Sequence, residues 1–356
     1  MPAYKDKNNG KWFCKFYYKD WQGKTKQKWK RGFRTKKDAL QFEREFLCSR
    51  DTGPDMTFAH LYNLYMQDMS ARLKESTILI KKQIIETKIL PYFNCMKLNE
   101  IEACTIRRWQ NELLSSQKHY SATYIKSIQN QLSALFNYAE KYYGLTANPC
   151  HKAGSIGKSK ADHINFWTLE EYLQFREGFS KESDAYYCFE TLYWTGMREG
   201  ELLALTCGDI SWNNSQIHIS KTYQRLRGKD YITTPKTQKS IRDVPIPQFL
   251  CDELRQYTAS KNLSENDRIF PFSKYYLLRE LSKACEKTKV KRIRIHDIRH
   301  SHVSLLINEG FDAMIIAERV GHEKVSTTLN TYSHLFPSRQ ASLVSSLENL
   351  EEKLKK

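Results

Sequence analysis

The spacing of apolar residues changes character along the chain and divides it into three regions. From Trp12 to Tyr18 bulky residues run almost unbroken, a strand composition, and Asp20-Trp21-Gln22-Gly23 follows as a hairpin signal. From Lys24 to Phe33 charge alternates with bulk at a period of two, with Lys26, Lys28 and Lys30 on one side. Thr35 with Asp38 three residues on predicts a helix start, and Ala39, Phe42 and Phe46 recur about one turn apart. Residues 1–50 are therefore expected to form a small three-stranded sheet packed on one helix. A breaker-rich joint, Asp51 to Met56, follows.

Helical periodicity then takes over. Thr57 is positioned to cap a helix carrying Phe58, Leu61, Leu64, Tyr65 and Met69. Ser76 opens a second that reaches Ile89, before Pro91. Thr105 starts a third running to Leu114, and Ser121 a fourth with Ile125, Ile128, Leu132, Leu135, Phe136 and Tyr138 on its apolar face. These predict an all-α domain over 57–149, with residues 150–162 as a small, basic, flexible connector. Residues 163–356 are mixed. Helical patterns begin at Thr168 and Asp184, a strand-turn-strand pattern runs from Ile217 to Thr234, and helices dominate from Pro247 onward. After Tyr332, Leu343, Leu347, Leu350 and Leu354 form an amphipathic stripe. The expected fold class is multidomain, mainly α with small β-sheets, the last domain being α+β.

Composition narrows the function. The 356 residues suffice for two or three domains with their own cores. A mean hydropathy of −0.66 and the lack of any run of about 18 apolar residues predict no membrane span. The start, MPAYKDKNNGKW, has no secretory apolar region. Nine cysteines stand singly with no Cys-x-x-Cys pair, which fits reduced thiols and a cytoplasmic location. Net charge is +17, and residues 1–50 carry 15 Lys/Arg against 5 Asp/Glu together with 11 aromatics. That concentration predicts a basic face built from Lys15, Lys24, Lys26, Lys28, Lys30 and Arg31, directed at nucleic acid. The alternative is that alternating lysines merely guard a sheet edge.

Candidate chemistry lies in the last 190 residues, in four short segments. Thr195-Gly196-Met197-Arg198-Glu199-Gly200-Glu201-Leu202 puts Arg198 at a glycine-flanked joint between helical patterns. Thr234-Pro235-Lys236-Thr237 sits at a turn of the β region. His296-Asp297-Ile298-Arg299-His300 opens a helix, and Gly321-His322 precedes Thr331-Tyr332-Ser333-His334. Phosphate-binding glycine loops and nucleophile elbows are absent. His296 and His300 are spaced to face zinc, but the metalloprotease pattern needs Glu where Asp297 stands. Lys239 and Arg242 rival Lys236 by position, and Glu201 is the natural orienting partner of Arg198.

An arginine, a lysine, His-x-x-Arg, Gly-His and a tyrosine ten residues later, in that order, resemble the tyrosine recombinases. The wording TGMREGEL, HDIRH and TYSHL is most similar to integrases of phages and conjugative transposons. The resemblance spans about residues 163–340. It implies an arm-type DNA-binding domain over 1–50, a core-type DNA-binding domain over 57–149 and a catalytic domain over 163–356. It also implies catalytic roles for Arg198, Lys236, His296, Arg299, His322 and Tyr332, with a 3′-phosphotyrosine intermediate and no metal, ATP or other cofactor. The expected partner is double-stranded DNA bearing core-type and arm-type attachment sites. A homotetramer in the synapse follows, with tail exchange between subunits and an excisionase or DNA-bending factor as further partners. A catalytically silent DNA-binding accessory protein and a Xer-like chromosome-dimer resolvase are the alternative functions.

The chemistry agrees on its own terms. Phosphodiester cleavage builds negative charge on equatorial oxygens, which planar guanidinium groups match. A phenol with an ordinary pKa of about 10 needs a base or a cationic field to attack phosphorus at neutral pH. His296 is a candidate to take that proton, His322 to donate to a non-bridging oxygen, and Lys236 to protonate the leaving oxygen.

Overall fold

The computed structural model describes residues 3–6, 10–19, 25–48, 53–159, 165–235 and 237–333, and its contacts divide the chain into two units, 1–162 and 163–356. In the first unit β1 (Ala3–Lys5), β2 (Trp12–Lys19) and β3 (Thr25–Phe33) pair antiparallel in that order, and α1 (Lys36–Cys48) follows. Thr35 and Asp38 exchange side-chain-to-backbone hydrogen bonds at the helix start, as the spacing predicts. Cys14, Phe16 and Ala39 form the buried core, flanked by Trp12, Phe33 and Phe42.

The register corrects one expectation. Directly opposed residues of an antiparallel pair share a face. Lys30 lies opposite Cys14, Lys28 opposite Phe16 and Lys26 opposite Tyr18, so these three lysines share the helix side of the sheet. Lys15 lies opposite Trp29 and Arg31 opposite Phe13, on the other side. The single basic face is therefore split. The open side carries Phe13, Lys15, Trp29 and Arg31, with Phe13 and Trp29 stacked at 6.0 Å and the Lys15 ammonium 4.6 Å above the Trp29 ring. Lys24 lies outside the described residues.

A second core in the same unit joins α2 (Phe58–Arg72), α3 (Glu75–Ile84), α4 (Leu90–Phe93), α5 (Ala103–Leu114), α6 (Ala122–Tyr142) and α7 (Pro149–Ala153). Thr57 and Ser121 cap α2 and α6 through their side chains, as expected. Lys74 and Glu102 occupy the other two caps without a side-chain bond, so α3 and α5 start earlier than Ser76 and Thr105 indicated. The helix does not stop before Pro91 either. A π-helical turn, Ile85–Ile89, carries the chain into α4, with Pro91 in its first turn where no N–H is missed. Ile85, Ile89 and Phe93 are fully buried as a result. The connector is also shorter than expected. Asn148 caps α7, Pro149 begins it, and Cys150 and Ala153 belong to this core.

The second unit contains α8 (Leu169–Arg176), α9 (Asp184–Thr195), α10 (Glu199–Leu202), α11 (Gln248–Ser260) and α12 (Lys274–Thr288) around its main core. β4 (Ile210–Ser211), β5 (Gln216–Ile219) and β8 (Arg242–Pro245) form one antiparallel sheet, and β6 (Thr222–Leu226) and β7 (Lys229–Thr233) a hairpin. α13 (Ile295–Asn308), α14 (Ala313–Val320) and α15 (Val325–Tyr332) complete the unit, with Val303, Ile307, Ile316, Val320 and Tyr332 in a satellite core. The leucine stripe of the tail and His334 lie outside the described residues. Among those described, no helix is long and apolar enough to cross a membrane.

Asn148 is almost fully buried. Its Oδ1 accepts from the Cys150 N–H at 2.8 Å, and its Nδ2 donates to the Ser133 carbonyl at 3.0 Å and to Asn137 Oδ1 at 2.6 Å. Asn148→Ala leaves these groups without partners and is expected to destabilise the first unit by about 1–3 kcal/mol. Urea unfolding together with amide exchange checks this, with the α7 amides losing protection first. Unchanged exchange in α7 would show that the cap is dispensable.

Candidate active site

Each of the two arginines singled out from the sequence is set by a glycine joint. α9 ends at Gly196 in the left-handed region, φ +64°, and a Cβ there would lie 2.4 Å from the His302 ring. The chain then turns so that Arg198 caps α10. Its backbone N–H donates to Glu201 Oε2 at 2.9 Å, and its Nη1 donates to Oε1 at 2.7 Å. Arg242, from β8, donates to the same carboxylate, Nη2 to Oε2 at 3.0 Å. Arg242 also donates from Nε to the Arg319 carbonyl at 2.8 Å. Burial alone would raise the Glu201 pKa, but Arg242 and Arg198 reverse this and hold it below the ordinary value.

Arg299, on α13, is buried and donates to two carbonyls, Nη1 to Gly196 at 2.8 Å and Nη2 to Val320 at 2.5 Å. Arg198 Nη2 reaches the next carbonyl, Gly321, at 3.4 Å. Gly321 closes α14 with φ +69°, and a Cβ there would press on Arg242 Nη1 at 3.0 Å. The two candidate clamp arginines are thus stitched to the same two joints. Loss of solvent, reinforced by Arg198 and Arg242, lowers the Arg299 pKa to about 9.

The histidines answer to the same field. His322 places Nδ1 2.8 Å from the Thr328 hydroxyl, and burial with Arg299 and Arg198 nearby lowers its pKa to about 3. His296 presents open area to solvent. Its ring is nonetheless crowded by protein atoms and faces His300 and Arg299, which together lower its pKa to about 4. It borders a cleft of about 710 Å³ lined also by Glu199, Lys274, Tyr275, Arg292 and Arg294. His296 and His300 meet edge to face, ring centroids 5.3 Å apart. Among the described residues no group of three or more His, Cys, Asp or Glu side chains is arranged to hold a metal ion.

Tyr332, at the end of α15, is 1% exposed, and burial raises its pKa above the ordinary phenol value while Arg299 opposes the rise. Its hydroxyl meets His300 Nδ1. The structure therefore gathers Arg198, Arg299, His296, His322 and Tyr332 around the α9–α10 and α14–α15 joints and the start of α13. Lys236 lies outside the described residues, between β7 and the turn at Gln238–Ser240. Sequence reasoning read His300 as spaced with His296 to face zinc, or as a structural or DNA-facing group, and did not place it beside Tyr332, where its Nδ1 meets the hydroxyl. It ranked Arg242 as a rival lysine substitute, whereas Arg242 is buried as the second partner of Glu201.

Comparisons with known proteins extend these observations. Residues 165–339 match the phage integrase family, residues 57–114 the phage integrase N-terminal SAM-like domain, and residues 2–48 the arm DNA-binding domain. The chain is 31% identical over 336 residues to the ICEBs1 integrase of Bacillus subtilis (strain 168), covering 89% of this chain and 90% of the relative. It is 27% identical over 289 residues to the integrase of Staphylococcus phage L54a, covering 71% and 81%. In fold it is similar to the Tn1549 transposon integrase solved with transposon right-end DNA, with TM-score 0.67, 20% identity, and coverage of 83% of this chain and 100% of that one. It is likewise similar to a lambda integrase tetramer bound to a Holliday junction, with TM-score 0.59, 18% identity, and coverage of 92% and 97%.

Glu201→Gln removes the charge that two guanidiniums share and is expected to cost about 3–5 kcal/mol of stability at neutral pH. The sign with pH follows from the depressed pKa of Glu201. As pH falls, the unfolded chain takes this proton first. The carboxylate's contribution is complete above about 4.5, the unfolded value, and is lost as pH drops through the folded value. Urea titrations of both proteins from pH 7 to pH 3 should show the stability gap narrowing only below about 4.5. A gap that does not change with pH would mean that the charge is not what Glu201 contributes.

Proposed function

The chain belongs to the phage integrase family of tyrosine recombinases, site-specific enzymes that integrate and excise mobile elements, and we propose that its strand exchange runs through Arg198, Lys236, His296, Arg299, His322 and Tyr332. Strand transfer in this family needs no cofactor. The Tyr332 oxygen attacks the scissile phosphorus, the bond from phosphorus to the 5′ oxygen breaks, and a 3′-phosphotyrosine forms. Arg198 and Arg299 donate to the non-bridging oxygens as charge accumulates on them. His322 is neutral. With Nδ1 accepting from the Thr328 hydroxyl, its Nε2–H is free to donate to the same oxygens. Lys236 supplies the proton for the leaving oxygen. The observation that carries this reading is the convergence of both guanidiniums on the carbonyls that end α14, Arg299 on Val320 and Arg198 on Gly321, with Arg299 also held by Gly196 and Tyr332 close enough to feel Arg299.

DNA is the partner, and several copies act together in the synapse. The finer assignments are part of the proposal. Residues 57–149 grip core-type sites and residues 1–50 arm-type sites, the latter through the open sheet face of Lys15, Trp29 and Arg31. Support comes from the exposed rings there, with the Arg31 guanidinium 5.3 Å from the Trp29 ring, and from the match to an arm DNA-binding domain. Exchange of the 343–356 tail within a homotetramer, and an excisionase or DNA-bending factor, complete the expected assembly.

A nicked duplex carrying the joined ends of the element that flanks the coding sequence traps the covalent intermediate. Tyr332→Phe is expected to form no adduct. Arg198→Lys is expected to keep DNA binding while cleavage falls by about 10²–10³-fold, because an ammonium cannot replace the bidentate fork. No adduct from the wild-type protein would leave only a DNA-binding accessory role.

Salt dependence tests the sheet face. Lys15→Ser with Arg31→Ser should reduce the slope of log affinity against log salt by about 0.9 for each phosphate that these side chains neutralise. Lys28→Ser, on the helix side, should leave it unchanged. Equal effects would return all the lysines to one face.

A further inference from the structure

Two arginines outside the six assigned to strand exchange cross-brace the catalytic unit. From β8, Arg242 Nε donates to the Arg319 carbonyl in the last turn of α14, at 2.8 Å. From α14, Arg319 Nη1 donates back to the Pro245 carbonyl at the end of β8, at 3.0 Å. Arg319 also reaches the end of α9, where Nη2 donates to the Trp194 carbonyl at 3.0 Å. Each arginine therefore ties its own element to the backbone of the other.

Arg242 is also the inner partner of a shared carboxylate. Its Nη2 donates to Glu201 Oε2 at 3.0 Å, and its Nη1 donates to Oε1 at 3.4 Å and to the Ser240 carbonyl at 3.0 Å. All three of its side-chain nitrogens are thus engaged within the protein, and the side chain is 7% exposed. Arg198 meets the same carboxylate at 2.7 Å, yet its side chain is 36% exposed. Of the two guanidiniums, Arg198 is the one open to a phosphate.

Charge balance gives this arrangement its consequence. Glu201 paired with Arg198 alone would form a neutral couple, which does little for extra negative charge on phosphorus. With Arg242 on the same carboxylate the three groups sum to one positive charge, and the exposed member presents it. Burial pushes the Glu201 pKa up, and Arg242 does more than Arg198 to pull it back down, so the carboxylate is held chiefly from its buried side.

Resting on the recombinase reading, we propose that Arg242 is a positioning residue that takes up the charge of Glu201 and so leaves Arg198 free to act on the scissile phosphate. Through the Arg319 carbonyl it also fixes the turn of α14 beside Val320 and Gly321, whose carbonyls receive Arg299 and Arg198. Its own donors are engaged in the protein, so its effect on the reaction passes through Arg198.

The experiment measures single-turnover cleavage of the nicked duplex at saturating protein, with DNA affinity and urea unfolding alongside. Arg242→Gln can still donate a hydrogen bond to Glu201 but carries no charge. It should bind DNA as the wild type does and cleave about 10²-fold more slowly. Adding Glu201→Gln removes the opposing charge as well and returns the sum around Arg198 to plus one. That double variant should cleave about tenfold faster than Arg242→Gln alone, whereas a purely structural role predicts a further loss. The Arg242→Gln deficit should also shrink on a duplex with a methylphosphonate at the scissile position, which carries one negative charge fewer. Arg242→Lys keeps the charge and decides the matter if the neutral variants do not fold: it should cleave within about tenfold of the wild type. Normal cleavage by Arg242→Gln, a double variant no faster than the single, an equal deficit on both substrates, or a folded Arg242→Lys slowed about 10²-fold would each overturn the proposal while the recombinase reading stands. No wild-type adduct removes both.

Discussion

Mutual repulsion is the constraint that organises the catalytic unit. Arg198, Arg242 and Arg299 converge on one pocket, where Arg198 and Arg242 lower the proton affinity of buried Arg299 and all three lower that of His322. Like charges this close cost several kcal/mol unless opposed (about 4 kcal/mol for a pair 4 Å apart at an effective dielectric of 20). One carboxylate, Glu201, takes Arg198 and Arg242 together. Arg299 is satisfied differently, by the carbonyls of Gly196 and Val320, where α9 and α14 end. Those carbonyls carry the negative ends of two helix dipoles. Among the described residues, Glu201 is the carboxylate these guanidiniums contact, and Arg299 is met by carbonyls instead. A scissile phosphate supplies what is missing, and a transition state with one more negative charge supplies it better.

The same field decides the state of everything else in the pocket. Further positive charge is disfavoured, so His296 and His322 remain neutral and act as hydrogen-bonding groups. Tyr332 sits among Val303, Ile307, Ile316 and Val320, which stabilise its ring and oppose its ionisation. The resting pocket keeps this phenol protonated and out of solvent. Reactivity then depends on a proton acceptor and a phosphate arriving in register.

Residue type and order were enough to read much of this site. Arg198, Arg299, His296, His322 and Tyr332 were legible because few other reactions call for two arginines, two histidines and a tyrosine in that order. Side-chain caps were legible at Thr57, Ser121 and Thr168, where a hydroxyl accepts a backbone N–H. Starts at Lys74 and Glu102 were not, since those side chains make no cap bond and packing alone sets the boundary. The π-helical turn was hidden for a related reason: Ile84, Ile85 and Ile89 fit a continuous helix on paper, and only their joint burial calls for the extra residue. The split basic face shows another limit. Alternation tells which residues of one strand share a side, but the register across β2 and β3 decides which strand positions meet. The meeting of His300 with Tyr332 was illegible because nothing in the sequence says that the end of α15 returns to this face of α13.

Two clusters of positive charge among the described residues are held in opposite ways. On the open sheet face Lys15 and Arg31 lie over Trp29 in contact with water, where each adds a solvated, salt-sensitive attraction to any phosphate backbone. In the catalytic pocket Arg299 is buried, with both terminal nitrogens already donating to carbonyls. Little of its charge is left to attract distant DNA, and its value lies in a fixed geometry at one phosphorus. On the proposed assignment, the pocket's charges are in place before DNA arrives, so a strand must be seated to bring phosphorus, Tyr332 and the guanidiniums together before it can draw on them.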